Sequence, residues 1–290
     1  MPLIQRLVDI SFTLGQGNFT ESRTNQVTIS GLRVSAKIVK AGGNSMGEAQ
    51  LLIYGMTLSL MNQLSTLGMI YQLVQRNLVT ITAGDNQNGM GTVFVGTITN
   101  AFADFQASPD VPFHVMAHAG MTESVLSIPP SSFSGSSDVA TIMSGLAAQA
   151  GLKFENNGVS AKLSNPYFSG SVRSQIKDCA DHANIKWTID NGTLAIWPKT
   201  GSRGGSVPLI SPDTGLISYP AYTHYGLLLK TLFNPSIGFG GKVQVKSNLF
   251  KADGTYIVLG ITHDLSSMVP KGPWFSELSL YNPAYPTPAI

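Results

Sequence analysis

Charged residues are scarce in this sequence. Only 12% of its 290 residues are charged, 18 Lys and Arg against 16 Asp and Glu, whereas soluble domains have about 25%. The apolar fraction of 43% is ordinary, which excludes a disordered chain. A formal net charge of +2 leaves little basic surface, which argues against a dedicated nucleic-acid binder. We expect a β-rich protein with a weakly charged surface, either a subunit of an assembly or an exported protein.

Disulfides, long apolar runs and a secretory signal are also missing. The single cysteine, Cys179, excludes an intramolecular disulfide and a multi-cysteine zinc site. The longest apolar candidate, residues 51–61, is broken by glycine and polar residues, whereas a membrane-spanning helix needs about 20 apolar residues. Residues 1–6 have no cationic segment that leads into an apolar run, so the sequence predicts cytoplasmic synthesis and no membrane insertion.

Two distant parts of the chain resemble each other. Residues 93–99, VFVGTIT, resemble residues 257–263, IVLGITH, at a spacing of 164 residues. The same spacing relates residues 79–81 to residues 243–245. Both copies have the alternating or continuous apolar pattern of short strands, so each end of the chain is predicted to form a β domain of the same design.

The first copy contains an extra segment. Residues 49–54 resemble residues 226–231 at a larger spacing of 177, so the first copy is 13 residues longer. The extra length falls in residues 57–75, where Leu58, Met61 and Leu64 lie near helical spacing. We predict a helix there, and none at the corresponding place in the second copy.

A second repeat, offset by 33 residues, lies between the two ends. Two amphipathic helical patterns begin after Asp138 and Ser171 and end at Gly151 and Asn184, and these residue types favour helix caps. Each helix leads into a strand, an Asn-Gly turn and a return strand, which predicts a hairpin. The predicted turns and return strands are Asn157-Gly158 with residues 159–163, and Asn191-Gly192 with residues 193–197.

These patterns predict a mainly β protein with an α+β middle. We expect a β domain at residues 1–126, a paired helix–hairpin module at residues 127–200 and a second β domain at residues 201–290. The joints fall in residues 127–137, with Pro129-Pro130, and residues 200–206, which contain three glycines. Both have the composition of linkers.

Two short motifs suggest catalysis or metal binding, and the sequence context favours neither. Gly43-Asn44-Ser45-Met46-Gly47 fits a nucleophile elbow, but that motif needs a helix after the serine, and residues 48–54 are predicted to be a strand. A serine hydrolase that uses Ser45 is therefore a minor hypothesis. His114 and His118 lie in another predicted strand without the third ligand that zinc requires.

The remaining reactive residues also have structural interpretations. Cys179 lies on the apolar face of the second helix and His182 lies off its edge, which is typical of a buried structural thiol. Gly240-Gly241-Lys242 lacks the Ser or Thr and the helix of a phosphate loop. For the carboxylates, Asp178 and Asp181 are assigned to a solvated helix face, and Asp190 to a turn. We predict no catalytic, cofactor-binding or metal-binding residue, and no enzyme.

One part of the sequence is more specific. The order of motifs near the C-terminus, with an Asn-Pro corner at Asn234-Pro235, resembles the C-terminal β domain of phage baseplate hub proteins. Residues 49–56 followed by residues 61–65 resemble the family's first tube-like domain, in which a strand leads into a helix. The matching C-terminal segments are residues 214–220, 232–237, 240–245, 254–258 and 274–278.

The resemblance implies a fold and a function. It implies two tube-like β-barrel or sandwich domains that flank the helix–hairpin module, in a homotrimer that presents six similar domains around one axis. Such a ring would join the tail tube above to the central spike below, beside other baseplate proteins, in the tail of a contractile-type virion. A nearly neutral channel would then let DNA pass during genome ejection without sequence-specific binding.

An alternative function remains open at this stage. Trp187 and Trp197 could stack on sugars if they are exposed, in a cell-surface or polysaccharide-binding module of a tail tip. Trp187 aligns with Phe154 in the inner repeat, and a large residue at equivalent positions favours a role in the core.

Overall fold

A computed structural model describes residues 4–66, 76–87 and 89–284. The strands are β1 Arg6–Thr13, β2 Gln26–Ile29, β3 Arg33–Lys40, β4 Glu48–Tyr54, β5 Leu78–Asp85, β6 Gly89–Ala103, β7 Pro112–His118, β8 Ser131–Ser132, β9 Ser136–Asp138, β10 Lys153–Asn156, β11 Lys162–Ser164, β12 Tyr167–Phe168, β13 Ile185–Asp190, β14 Thr193–Pro198, β15 Leu209–Ile210, β16 Ala221–Tyr222, β17 Gly226–Leu232, β18 Lys242–Val245, β19 Gly254–Ser267 and β20 Trp274–Tyr281. The α-helices are α1 Leu58–Leu64, α2 Met121–Val125, α3 Val139–Gln149 and α4 Val172–Ala183.

A single large sheet dominates the described part of the chain. It contains 13 strands, and its main path runs β16-β17-β20-β19-β3-β4-β7-β6-β5-β1-β2. Strand β3 pairs antiparallel with the second half of β19, with Lys40 opposite Ile261 and Val34 opposite Ser267. This pairing joins strands from both ends of the chain into one sheet, and the predicted mainly β fold is confirmed.

The long-range repeat is visible as two copies of one strand arrangement. The order β4-β7-β6-β5 in the first β unit (β3–β7) corresponds to β17-β20-β19-β18 in the second (β16–β20). The strand pair β6–β7 has a register shift between Ile98 and Asn100, and β19–β20 has one between Val258 and Gly260. Strand pairing, including this shared irregularity, therefore defines which residues are equivalent.

This equivalence corrects two of the predicted spacings. Thr97 and Ile257 each lie one residue before the register shift of their strand, on β6 and β19. They are therefore equivalent, and the spacing of the repeat is 160 residues, not the predicted 164. A slip of four residues keeps every side chain on the same face, so alternation could not detect it. Ala49 corresponds to Leu227 at a spacing of 178, one more than predicted, because residues 227–229 are three leucines without alternation.

The extra segment begins as a helix. Thr57 caps α1 by accepting a hydrogen bond from the backbone N–H of Leu60, and Met61 and Leu64 are buried. The rest of the predicted helix, residues 67–75, lies outside the described residues. Residues 233–241, between β17 and β18, form turns without a helix, as predicted for the second copy.

Both predicted helices of the middle module form. Asp138 accepts a hydrogen bond from the N–H of Thr141, and Ser171 accepts one from Ser174, so both N-terminal caps are as expected. Asn184 ends α4 in the left-handed conformation, with φ 52°. The apolar faces of α3 and α4 then pack into one core.

Only one of the two predicted hairpins exists. Asn191-Gly192 connects β13 to β14 in an antiparallel hairpin, but Asn157-Gly158 does not lead back along β10. Strand β10 pairs in parallel with β14, and β11 pairs with β9. The Asn156 side chain forms a local loop by bonding both the N–H and the carbonyl of Val159, which removes these groups from hairpin pairing.

Three main hydrophobic cores follow the order of the chain. The first underlies β1–β7, the second lies between α3, α4 and the three-stranded sheet of the middle module, and the third underlies β17–β20. Leu265 and Trp274 are exceptions, since they come from β19 and β20 but pack in the first core. The domain boundaries at 126/127 and 200/201 stay a prediction.

Candidate assembly site

The middle module meets the sheet at a network of one buried and three half-buried ions. Lys40, the last residue of β3, donates to Asp190 at 3.1 Å, and Arg203 from the following linker also donates to Asp190 at 3.2 Å. The Arg203 Nη2 also reaches Glu155 on β10 at 2.8 Å. Lys40 is 8% exposed, so this cation depends on its partner for stabilisation. The network therefore ties all three predicted segments together.

Arg173 forms a second connection at the same junction. It lies on α4 and donates from Nη2 to the backbone carbonyls of Gly43 at 2.9 Å and Ser45 at 3.2 Å. Its guanidinium also lies 4.9 Å from the ring centre of Trp187, in a cation–π contact. Burial raises the pKa of the Glu123 carboxyl nearby, while the charge of Arg173 opposes that rise.

The glycine-rich candidate motifs belong to this junction. The loop at residues 41–47 joins two strands, as predicted, and its backbone receives Arg173. Gly240 has φ +76°, and a Cβ there would lie 2.6 Å from the Trp197 ring. The motif Gly240-Gly241-Lys242 thus lets the chain pass against Trp197 and enter β18. Both motifs serve packing between parts of the chain.

The tryptophans of the alternative function are buried. Trp187 is 4% exposed and Trp197 is 2% exposed. Trp197 makes an edge-to-face contact with Phe239 at 6.2 Å. The exposure that sugar stacking requires is therefore not met.

The histidine and cysteine candidates do not form a reactive cluster. His114 stacks on Phe102 with ring centres 4.7 Å apart, and His118 hydrogen-bonds Thr99 at 3.1 Å. Cys179 is buried, which raises its pKa to about 12, and His182 bonds the backbone carbonyl of Asp178. Within residues 4–66, 76–87 and 89–284, no three His, Cys, Asp or Glu side chains are grouped to hold a metal ion.

The carboxylate predictions agree with the structure on the helix and are incomplete at the turn. Asp181 pairs with Lys177 at 2.8 Å on an exposed face, as expected for solvated charges. Asp190 ends β13 directly before the Asn191-Gly192 turn, as predicted, and it also pairs with Lys40 and Arg203, which the sequence did not indicate. The one available signal was a charged residue at the end of an apolar strand, and nothing in the sequence identifies its partners.

The outward face of the shared sheet is electrically balanced. On the eight-strand path from β16 to β6, strand pairing places three cations and three anions on the side away from the cores. Asp264 lies opposite Lys37, and Lys230 reaches Glu277 at 3.5 Å. Burial raises the pKa of Asp264, and Lys37 and Lys230 oppose that rise. The six residues are Arg33, Lys37, Glu48, Lys230, Asp264 and Glu277.

The helices within the described ranges were compared with the requirements of a membrane span, and none combines the length and the hydropathy needed to cross a bilayer.

The fold is that of phage tail proteins. A tail protein from Neisseria meningitidis MC58 superposes with a TM-score of 0.60 at 10% identity, covering 95% of this chain and 96% of that chain. The 43 kDa tail protein of prophage MuSo2 from Shewanella oneidensis has a TM-score of 0.59 at 10% identity, with coverage of 95% and 97%. A type VI secretion component of E. coli, described as structurally similar to T4 tail proteins gp27 and gp5, has a TM-score of 0.57 at 10% identity, with coverage of 89% and 77%.

The family of this chain can be assigned from its amino-acid sequence. A model of the family described as baseplate hub gp41 matches residues 7–271. The chain therefore belongs to the baseplate hub gp41 family, a family of structural proteins of the phage tail. No curated protein matches it in sequence. The resemblance inferred from the Asn-Pro corner and the order of motifs is confirmed.

Asp190→Asn tests the junction. The change leaves the Lys40 ammonium buried without its counter-charge, so we expect a loss of about 3–5 kcal/mol in the free energy of unfolding. Asp181→Asn, on an exposed ion pair, should leave the urea midpoint unchanged. Urea unfolding followed by circular dichroism measures both, and equal midpoints for the two variants would show that the network does not stabilise the fold.

Because His263 is buried, we expect the stability of the folded protein to fall in acid. Burial and the charge of Lys40 lower its pKa to about 3, while an unfolded histidine titrates near 6.5. Between pH 6.5 and 3 the unfolded chain binds a proton that the folded chain does not, so stability falls by about 1.4 kcal/mol per pH unit. His263→Gln should flatten that slope and His224→Gln, on an exposed loop, should not. Urea titrations at pH 7 and pH 5 compare them, and parallel slopes would refute the assignment.

Proposed function

We propose that this chain is a hub subunit that forms a homotrimeric ring with six similar β units around its axis. The observation that supports it is the β3–β19 pairing, which sets two β units of the same strand order edge to edge in one sheet. Three such chains supply six units under threefold symmetry. A closed ring of this kind is the usual outcome of head-to-tail contacts with a suitable rotation.

The ring would act as an adaptor in the virion. Six similar units on one side suit a sixfold tail tube, and threefold symmetry on the other suits a trimeric spike. The partners in this proposal are the tail tube protein above, the spike protein below and other baseplate proteins, after synthesis in the host cytoplasm. The ring itself would have no catalytic activity, since its buried polar residues hold parts of the chain together.

The balanced face of the sheet would line the channel. It carries equal numbers of cations and anions, and two oppositely charged pairs are adjacent: Lys37 lies opposite Asp264 on the neighbouring strand, and Lys230 reaches Glu277 at 3.5 Å. DNA binding depends on neutralising phosphates with basic residues. A channel with this face would present little net charge to passing DNA, which suits passage during genome ejection.

Native mass spectrometry tests the trimer. We expect a particle of three times the 30.8 kDa chain mass, or aggregation of the isolated chain when its partners are absent, because exposed sheet edges associate. A clean monomer over a wide range of concentrations in light scattering would contradict the proposal.

A charge reversal tests the channel. Asp264→Lys with Glu277→Lys should make the channel basic and increase the affinity of the trimer for short duplex DNA at least tenfold. Glu21→Lys with Asp213→Lys changes net charge equally at exposed sites away from this face and should have a smaller effect. Fluorescence anisotropy at fixed salt measures both, and equal gains would show that this face does not line a channel.

A further inference from the structure

A small cavity lies between the middle module and the second β unit. Its volume is about 270 Å³, below the roughly 300–1,000 Å³ of sites for drug-sized ligands. Trp187 and Trp197 from the three-stranded sheet and Phe239 from the turn before β18 form apolar walls. The part of a ligand that contacts these rings would therefore be small and apolar.

The polar lining of this cavity is mainly cationic. Lys186 on β13 and Lys199 directly after β14 both line it. Among the described lining residues the single acid is Asp181, and its carboxylate already pairs with Lys177 at 2.8 Å. The cavity therefore combines apolar walls with an excess of positive charge.

The two lysines form no ion pair within the described ranges. Lys186 is half-buried, and its ammonium lies 5.0 Å from the ring centre of Tyr281. The Lys199 ammonium donates to Oδ1 of Asn184 at 3.2 Å. Burial and the charge of Lys199 lower the pKa of the Lys186 ammonium. Both effects disfavour the charged form of Lys186, and a nearby anion would oppose them.

The other cations buried at the junction differ from Lys186. Lys40 and Arg203 pair with carboxylates, and Arg173 donates to two backbone carbonyls. Buried cations are costly unless acceptors of this kind hold them. Within the described part of the chain, the contact given for the Lys186 ammonium is with an aromatic ring. An acceptor from outside the chain would complete the pattern.

We infer that this cavity binds an organic carboxylate, whose charged group is held by Lys186 and Lys199 and whose apolar body contacts the aromatic walls. Ammonium groups donate strong, charge-assisted hydrogen bonds to carboxylates. A bare inorganic anion fits the walls less well, because the rings offer it no donors in place of water. The site lies within one chain, so it does not depend on the proposed ring.

A fluorinated acid tests the site. 4-Fluorobenzoate joins a carboxylate to an apolar ring, and 4-fluorobenzamide has a similar shape without the charge. We expect the chain to bind the acid about tenfold more tightly than the amide or better, because hydrogen bonds to charged groups are the stronger ones. Fluorine NMR titrations at constant ionic strength measure both. Equal affinities, or no binding of the acid, would overturn the inference.

A competition experiment identifies the source of the carboxylate. A free small acid and an acidic side chain of a neighbouring baseplate protein share the same chemistry. The peptide acetyl-Phe-Glu-amide carries the second form. Displacement of 4-fluorobenzoate by a lower concentration of the peptide than of unlabelled benzoate would favour the protein side chain, and the reverse order would favour a free acid.

Paired variants separate the site from net charge. Lys186→Met with Lys199→Met removes both cations and keeps the side-chain length, so the affinity for 4-fluorobenzoate should fall about tenfold or more. Lys153→Met with Lys162→Met removes two exposed lysines of the same module and should leave the affinity unchanged. Equal losses in both double variants would show that the acid responds only to net charge, which would overturn the inference.

The stability of one single variant gives an independent readout. A half-buried cation that awaits an external anion adds little to the fold of the free chain, so Lys186→Met should preserve or raise the urea midpoint. Urea unfolding without any added carboxylate measures this. A lower midpoint for Lys186→Met would show that the lysine is retained to hold the fold together, and would overturn the inference while leaving the proposed trimer standing.

Discussion

The pairing of β3 with β19 is the contact on which the rest of the architecture depends. It joins residues more than 220 positions apart and converts two β units into one sheet. Each unit has an edge that would otherwise be open, and the pairing closes one edge of each. It also brings Leu265 and Trp274 of the last segment into the first core, so the two units cannot separate without exposing apolar surface.

A network of four charged residues lies next to this contact and connects it to the middle module. Lys40 ends β3 and is held by Asp190 from the middle module, which Arg203 links to Glu155. A buried ion pair adds little net stability over an apolar pair, but it penalises arrangements in which one partner is missing. The network thus favours one orientation of the middle module on the sheet. The low charge content of the chain leaves few competing partners for these ions.

The sequence predicts local structure better than strand pairing. Alternation and caps identified β3, β4, α3 and α4 because each depends on neighbouring residues. The hairpin at Asn157-Gly158 was wrong because β14 offers β10 a partner about 40 residues away, and no local signal reveals it. The same limitation explains the four-residue slip in the repeat. The ion pairs of Asp190 could not be predicted from the sequence, because only the fold brings its partners Lys40 and Arg203 close to it.

The two β units differ where their surroundings differ. In the second unit, β19 extends beyond its irregularity to pair with β3, whereas in the first unit β6 ends at Ala103. At the equivalent position, Thr66 at the end of the α1 segment binds Ala101. Because one chain carries both units, the edge of the second unit can be specialised for closure within the chain, while the corresponding edge of the first unit has a different and shorter structure.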